Sequence, residues 1–421
     1  MTQKTRVLLS GPVTNISGYS EHARLITDAL MEMSDTVDLY IQNTQWANST
    51  RSTLYQEKYN DIIQKTQNLF QTRADEKGSV DISGLFDCTY QIKPPNEFLK
   101  LSPHDIGVTA ALETISAPAS WVSKCNMVDH LLVVSQHSKE NLQNTKDNNG
   151  IGISTPITVL PFSNNNDIEI VDIYDDMNLT TKFNFLTVMQ MSPRKNFGNL
   201  IKWFTEEYHD NEEVGLVIKT HMQNNSTLDF HATKLQIKAL LNVLAPEKKC
   251  KIYLVHGNMT EKQMYSLYNP EYIDCYLTTT HGEGFGIPLF NAACAGIPVI
   301  ATNWSGHLDY LRIPVKNKAG KPKIKSHFLK TKFDIAPVQE HHLMPELITP
   351  ECEWAYPRED SFKKNMNYAI KNHKLIKAEA DTLAAYLKEN YNTTVVRQKY
   401  QDFMRSQIQK EENNEREVVY L

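Results

Sequence analysis

The stretch HGEGFGIPLFNAACAGIPVIATNWSGHLDYL, His281 to Leu311, decides the fold. A carboxylate, Glu283, enters a tight turn at Gly284-Phe285-Gly286. Pro288 then opens a helical run, because a missing N–H costs nothing at a first helical position. Gly296 is a natural helix stop, and Pro298 leads into Val299-Ile300-Ala301, a strand. Upstream, residues 273–278 (IDCYLT) read as another short buried strand. The order strand, loop, helix, strand is that of an open parallel sheet. Such sheets bind ligands beyond the carboxyl ends of their strands, where this loop lies. The glycines let the backbone approach a ligand, and the N–H groups at the helix start favour a phosphate. Glu283, an acid beside that anion site, is better suited to sugar hydroxyls. A lone Gly-X-Gly with a surface Glu would be an ordinary turn; the whole stretch is more specific than that.

Three pieces carry a resemblance: Glu283 to Pro288, Ala295 to Ala301, and Ser305-Gly306 with Asp309. Together they resemble the donor-site signature of glycosyltransferase family 4, retaining enzymes of the two-Rossmann-domain (B-type) fold. The resemblance implies that Glu283 and the amides of Gly284, Phe285 and Gly286 hold a donor sugar and its diphosphate. The family has a second Glu eight positions after the first, on the ribose hydroxyls. Here that position is Asn291, which donates and accepts but carries no charge. Ser192-Pro193-Arg194-Lys195-Asn196, following a strand at 184–189, resembles the family's phosphate-binding element, Arg, four residues, then Lys. Lys195 matches the lysine, Gln190 replaces the arginine, and Arg194 is the candidate to supply the lost charge. Two cations at such a turn suit a leaving diphosphate, whose charge grows as the glycosidic bond breaks.

Length and composition agree with this class. The 421 residues suggest two or three domains. Hydrophobic content of 41% and charged content of 22% are ordinary for a globular protein. The six cysteines form no Cys-X-X-Cys pair, which points to a reducing compartment and away from zinc or a disulfide framework. The opening MTQKTRVLLSGPV is too short in apolar residues for a signal peptide, and no segment approaches a membrane span. A cytoplasmic protein is expected, with peripheral membrane attachment the alternative. A net charge of −5 argues against bulk nucleic-acid binding, though not against a local basic patch.

The N-terminal half opens strand (6–10), loop (11–19), helix, strand (37–41), the start of a Rossmann-like domain. Its loop lacks the Gly-X-Gly-X-X-Gly fingerprint, which lowers a dehydrogenase reading. The resemblance puts a glycine of this loop near the reacting sugar; Gly18 is the candidate, and a plain turn glycine the alternative. Residues 43–77 read as a polar helical excursion, and strands return at 106–111 and 131–134. Between them stand Glu113, Pro118 and Trp121, followed by Asp129 and Ser135, a set that many family members carry. Glu113 is thus a candidate acceptor-side carboxylate; the alternative is a loop Glu capping the next helix. His104, His130 and His137 lack metal-ligand spacing and read as structural. Residues 157–162 close the first domain and the polar run 163–167 reads as a linker. The expected division is 1–170, acceptor side, and 171–421, donor side.

Further strands are expected at 214–220 and 252–255, with a helix from Met259. By resemblance, the loop after the second of these cradles the base. Residues 312–332 hold eight Lys or Arg and no acid, and their prolines and glycine make them a loop or hairpin. That excursion is either simply solvated or a contact for a polyanion such as nucleic acid, anionic lipid or charged glycan. Trp354 and Pro357 fit a branch of the family, residues 378–391 read as a helix, and 411–417 as a charged, frayed end. The resemblance implies that the last helix crosses back to the first domain. The expectation is a retaining transferase moving a hexosyl or pentosyl unit from a UDP- or GDP-linked sugar to a glycan or lipid-linked glycan. No Asp-X-Asp stands in a suitable context, so no metal or other cofactor is expected; in this class the leaving phosphate itself helps deprotonate the acceptor. The rivals are a phage-type DNA glycosyltransferase using the basic loop, and a non-catalytic sugar-nucleotide-binding protein.

Overall fold

The structure is a computed structural model that describes residues 4–414, except 76, 77, 79, 166, 167 and 317–319. Two parallel α/β sheets form its frame. The first is built from β1 (Thr5–Gly11), β2 (Val37–Asn43), β3 (Cys88–Ile92), β4 (His104–Thr109), β5 (His130–Val133) and β6 (Ile157–Val159). Their spatial order is β2-β1-β3-β4-β5-β6. The helices between them are α1 (Gly18–Met31), α2 (Thr53–Arg73), α3 (Trp121–Cys125) and α4 (Gln136–Asn144). Ser17 and Ser135 cap α1 and α4 by accepting from the Ser20 and Ser138 amides, a common helix-start device.

The second frame begins with β7 (Phe183–Gln190), α5 (Phe197–Tyr208), β8 (Val214–His221), α6 (Thr227–Leu244), β9 (Lys251–Val255) and α7 (Glu261–Ser266). It continues through β10 (Cys275–Leu277), α8 (Ile287–Cys294), β11 (Val299–Thr302) and α9 (Leu308–Leu311). An antiparallel hairpin, β12 (Arg312–Lys316) with β13 (Pro322–Ser326), precedes β14 (Leu329–Thr331). A second hairpin pairs β15 (Phe333–Pro337) with β16 (Glu353–Pro357). The sheet order β14-β11-β10-β7-β8-β9 reverses direction at the neighbours β7 and β10. That is a topological switch point, where open α/β sheets bind their ligands.

Helices α10 (Glu359–Lys371), α11 (His373–Asn390) and α12 (Thr393–Asn414) complete the chain. α12 returns to the first domain, as expected. Val396, Tyr400, Phe403 and Met404 are buried in the core that also holds Val7, Ile26 and Leu132. Burying each such side chain stabilises by about 1.5–3 kcal/mol. The Tyr400 hydroxyl adds a bond to the Leu160 carbonyl at 3.0 Å and meets His22 Nε2 at 2.9 Å.

Several local expectations need correction. β3 was not anticipated, because its sequence CTYQI lacks an apolar run. Its polar members are buried and satisfied: Thr89 by Asp105, and Gln91 by the Leu99 carbonyl at 2.6 Å and the Leu99 amide at 3.0 Å. The strand at the end of the first domain stops at Val159; Phe162 packs instead against Phe285, with ring centroids 5.1 Å apart. The helix after Lys195 starts only at Phe197, following a short 3-10 turn at Pro193–Lys195 and the left-handed Asn196. The basic excursion does hold a hairpin, β12–β13, as expected, and runs on through β14; Lys318 lies outside the described residues. Asn166 and Asp167 of the expected linker, Lys77, and residues 415–417 also lie outside them. No helix among the described residues is long and apolar enough to cross a membrane.

Candidate active site

The loops that leave β7 and β10 lie side by side at the switch point and are stitched together. The His281 amide donates to the Arg194 carbonyl at 2.9 Å, and Asn196 Nδ2 to the Thr279 carbonyl at 3.2 Å. This places Lys195 and Arg194 against Glu283. Lys195 Nζ reaches both Glu283 oxygens, at 2.7 and 2.8 Å. Arg194 Nη1 donates to the Gly282 carbonyl at 2.6 Å and to Glu283 Oε2 at 3.2 Å. Glu283 is only 4% exposed. Burial alone would raise its carboxyl, but Lys195 and Arg194 outweigh that and hold it at about 2. The site is therefore a buried, ionised carboxylate between two cations.

The turn is fixed on its far side by residues 305–310. Ser305 Oγ accepts from the Glu283 amide at 2.9 Å, and the Gly306 amide donates to the Glu283 carbonyl at 2.9 Å. The Tyr310 hydroxyl donates to the Gly286 carbonyl at 2.9 Å. Gly286 has φ +85° and precedes α8 without any side-chain cap. Only glycine adopts that backbone cheaply. The helix starts one residue earlier than expected, so Pro288 is its second residue rather than its first. The first-turn amides of Ile287 and Leu289 have no acceptor inside the helix, which makes the end receptive to an anion.

The first domain faces this turn closely. A Cβ on Gly306 would lie 1.9 Å from the Gly284 carbonyl oxygen and 2.7 Å from Ser135 Oγ, so only glycine fits. Asp309 Oδ2 accepts from the Gln136 amide at the start of α4, at 2.7 Å. Burial pushes the Asp309 carboxyl up to about 6 despite that donor. Gly18, the first residue of α1, sits opposite Ile287: a Cβ there would meet Ile287 Cδ1 at 3.8 Å. Glu113, from the loop after β4, reaches across. Its Oε1 accepts from the Gly284 amide at 3.2 Å and lies 3.3 Å from Arg194 Nη1. It does not cap a helix. It belongs to the cleft, where it engages Gly284 and Arg194 of the second domain rather than standing apart on the first.

The remaining expected residues are distributed as follows. The Phe285 ring is buried against Phe290 and Tyr310, so only its backbone faces the cleft. Asn291 is half-buried on α8 beside the Tyr268 hydroxyl. Gln190 is exposed at the end of β7 and donates to the Met222 carbonyl at 3.1 Å. The positive charge absent at position 190 is present in the site through Arg194.

Some residues around the site had no role there in the sequence reading. His281 stacks on Trp354 with centroids 4.5 Å apart, and its Nδ1 donates to the Ala355 carbonyl at 2.7 Å. Burial lowers it to about 4, so it is neutral at physiological pH. His137, likewise lowered to about 4 by burial, packs edge-on against Trp304 at 4.6 Å. Among the described residues, His137 Nε2 and Trp354 Nε1 are buried without a hydrogen-bond partner. On the other flank, Lys219 donates from β8 to the Gly257 carbonyl at 2.8 Å, and burial lowers it to about 8. His256 Nε2 pairs with Asp229 Oδ2 at 3.0 Å. A lysine inside the apolar strand VGLVIKTH was the available signal for Lys219; Trp354 and Trp304 become neighbours only through the β15–β16 hairpin.

Residues 175–317, which span β7 to the first strand of the basic hairpin, match the family model for glycosyl transferases group 1. That part of the chain is a glycosyl transferases group 1 region. Its structure is similar to that of HepE of Anabaena, solved with UDP and glucose: 12% identity, TM-score 0.59, covering 96% of this chain and 100% of that one. It is also similar to sucrose-phosphate synthase of Thermosynechococcus elongatus, at 11% identity and TM-score 0.63, covering 97% and 100%. The α,α-trehalose 6-phosphate synthase of Burkholderia multivorans aligns at 10% identity and TM-score 0.59, over all of both chains. At such identities the likeness establishes the two-domain fold. No curated protein matches the chain in sequence.

Proposed function

We propose that this glycosyltransferase moves a sugar, with retention, from a UDP- or GDP-linked donor to a hydroxyl of a glycan or lipid-linked glycan. The observation that carries the reading is the Lys195–Glu283–Arg194 cluster at the uncapped start of α8. In this reading the diphosphate lies over the first-turn amides of α8, with Lys195 and Arg194 neutralising the charge that grows on its β-phosphate. Such pre-aimed charge is the main contribution a site of this kind makes; removing one donor typically costs about 10²–10³ in kcat. Glu283, ionised at any physiological pH, accepts hydroxyls of the donor sugar and sets its orientation. Asn291 contacts the ribose, and Gly18 leaves room for the sugar between α1 and α8. The leaving phosphate takes the acceptor proton on the same face of the ring.

HepE, of the same fold, is solved with UDP and glucose, which supports trying UDP-glucose first. The presence of Arg194 in the cluster supports a catalytic rather than a merely binding protein. The β12–β13 hairpin favours one variant of the acceptor side. Lys316 and Lys323 are exposed there, so a polyanionic acceptor, DNA included, is the second reading. The decisive experiment screens labelled UDP- and GDP-sugars for binding and hydrolysis by the full chain. If none is bound or hydrolysed, the donor-site assignment is wrong.

A further inference from the structure

Glu113 is a carboxylate lodged on groups suited to holding phosphate. It comes from the first domain, yet its partners are the Gly284 amide and the Arg194 guanidinium of the second. Its side chain is 18% exposed, beside Arg194 at 25% and Lys195 at 13%. Lys195 and Arg194 are therefore balanced by Glu283 and Glu113, two cations against two carboxylates. A diphosphate brings further negative charge. With Glu113 in place, phosphate oxygens and a carboxylate would compete for the same N–H groups at short range in poorly solvated surroundings, where like charges are most costly.

The domains also meet through Asp309 with the Gln136 amide, the Ile115 amide with the Glu353 carbonyl at 2.9 Å, and Trp121 Nε1 with the Glu346 carbonyl at 3.0 Å. The Glu113 carboxylate can thus leave without separating the domains. We propose that Glu113 is a resident anion at the donor's phosphate site, a stand-in that nucleotide must displace from Gly284 and Arg194. This rests on the donor-site reading given above and adds a residue that sets nucleotide affinity. Once displaced, the same carboxylate is free on the acceptor side of the cleft. Donor arrival and release of an acceptor-side group then become one event.

The test is a calorimetric titration of the full chain with UDP and with GDP, without acceptor, for wild type, Glu113→Gln and Glu113→Asp. Glutamine keeps the shape and gives up the charge-assisted contact, so nucleotide should bind on the order of tenfold tighter. Aspartate keeps the charge but falls short of the Gly284 amide, so its affinity should lie between the other two. Should the glutamine variant fail to fold, the aspartate variant alone must still bind more tightly than wild type. Unchanged or weaker binding in the variants, with wild type still binding, overturns the stand-in role and leaves the donor site intact. No nucleotide bound by any of the proteins overturns both.

Discussion

Replacing Glu283 by glutamine probes the centre of the site. The wild-type carboxyl is held at about 2, against an ordinary value of 4.5. That gap of roughly 2.5 units, at about 1.36 kcal/mol each, makes ionised Glu283 worth on the order of 3 kcal/mol to the folded state. Because the folded value is depressed, this contribution is complete above about pH 4.5 and is lost as pH falls towards 2. Glutamine fills the same space but leaves Lys195 and Arg194 buried beside a neutral amide. Breaking a buried pair costs about 3–5 kcal/mol, and Glu113 offsets part of it at Arg194. A net loss of about 2–4 kcal/mol would lower the melting temperature of a domain this size by roughly 4–12 °C. Thermal unfolding at neutral pH, followed by tryptophan fluorescence, reads that directly. UDP should then stabilise the variant more than the wild type, since the two cations are left short of an anion, while sugar transfer falls through kcat. A variant that melts within about 1 °C of wild type at neutral pH would refute the buried-triad reasoning.

Gly306→Ala forces a methyl to within 1.9 Å of the Gly284 carbonyl. Overpacking of this kind costs about 1–3 kcal/mol, and here it must also displace the donor-side turn, so nucleotide binding measured by calorimetry should be lost or greatly weakened. Unaltered affinity would mean that the turn is not part of the site. Asp309 titrates with the opposite sign to Glu283: its folded value is raised to about 6 from 3.8, so its contribution is complete below about pH 3.8 and is lost as pH rises through 6. Asp309→Asn should therefore gain stability relative to wild type on going from pH 4 to pH 7, by up to about 3 kcal/mol before solvent screening. Parallel melting curves at both pH values would contradict it. Lys316→Ala with Lys323→Ala should shift elution from a polyanion column to lower salt and flatten the salt dependence of binding, without changing nucleotide affinity. Identical elution would remove the hairpin from consideration as an acceptor contact.

The site was legible in the sequence where local backbone geometry and chemistry coincide. Glu283, the glycines and the uncapped start of α8 lie within a few residues of one another, so one stretch specifies both the turn and the groups it presents. Lys195 comes from a strand–turn unit 88 positions earlier that lies beside it in space, because β7 and β10 are neighbours in the sheet. What the sequence hid depends on distant partners. β3 is a central strand whose Thr89 and Gln91 are tolerable only because Asp105 and Leu99 meet them, and no periodicity records that. At Gln190 the sequence offered Arg194 as the replacement cation, and the turn does direct it onto Glu283; its second partner, Glu113 of the other domain, had no signature in composition or spacing.

Glu113 shows the limit most clearly. Read alone, it is an acid in a loop of the acceptor-side domain. Its partner amide is 171 positions away, across the cleft. A pair of carboxylates pairs the two cations, which would otherwise be unpaired buried charge. The proposed affinity for an anionic donor thus draws on the same Arg194 and Gly284 groups that Glu113 engages. The protein meets both demands by letting one carboxylate, Glu283, stay fixed by both cations, while the other is held from a separate domain by two longer contacts. The weaker, movable partner is the one that a donor can replace.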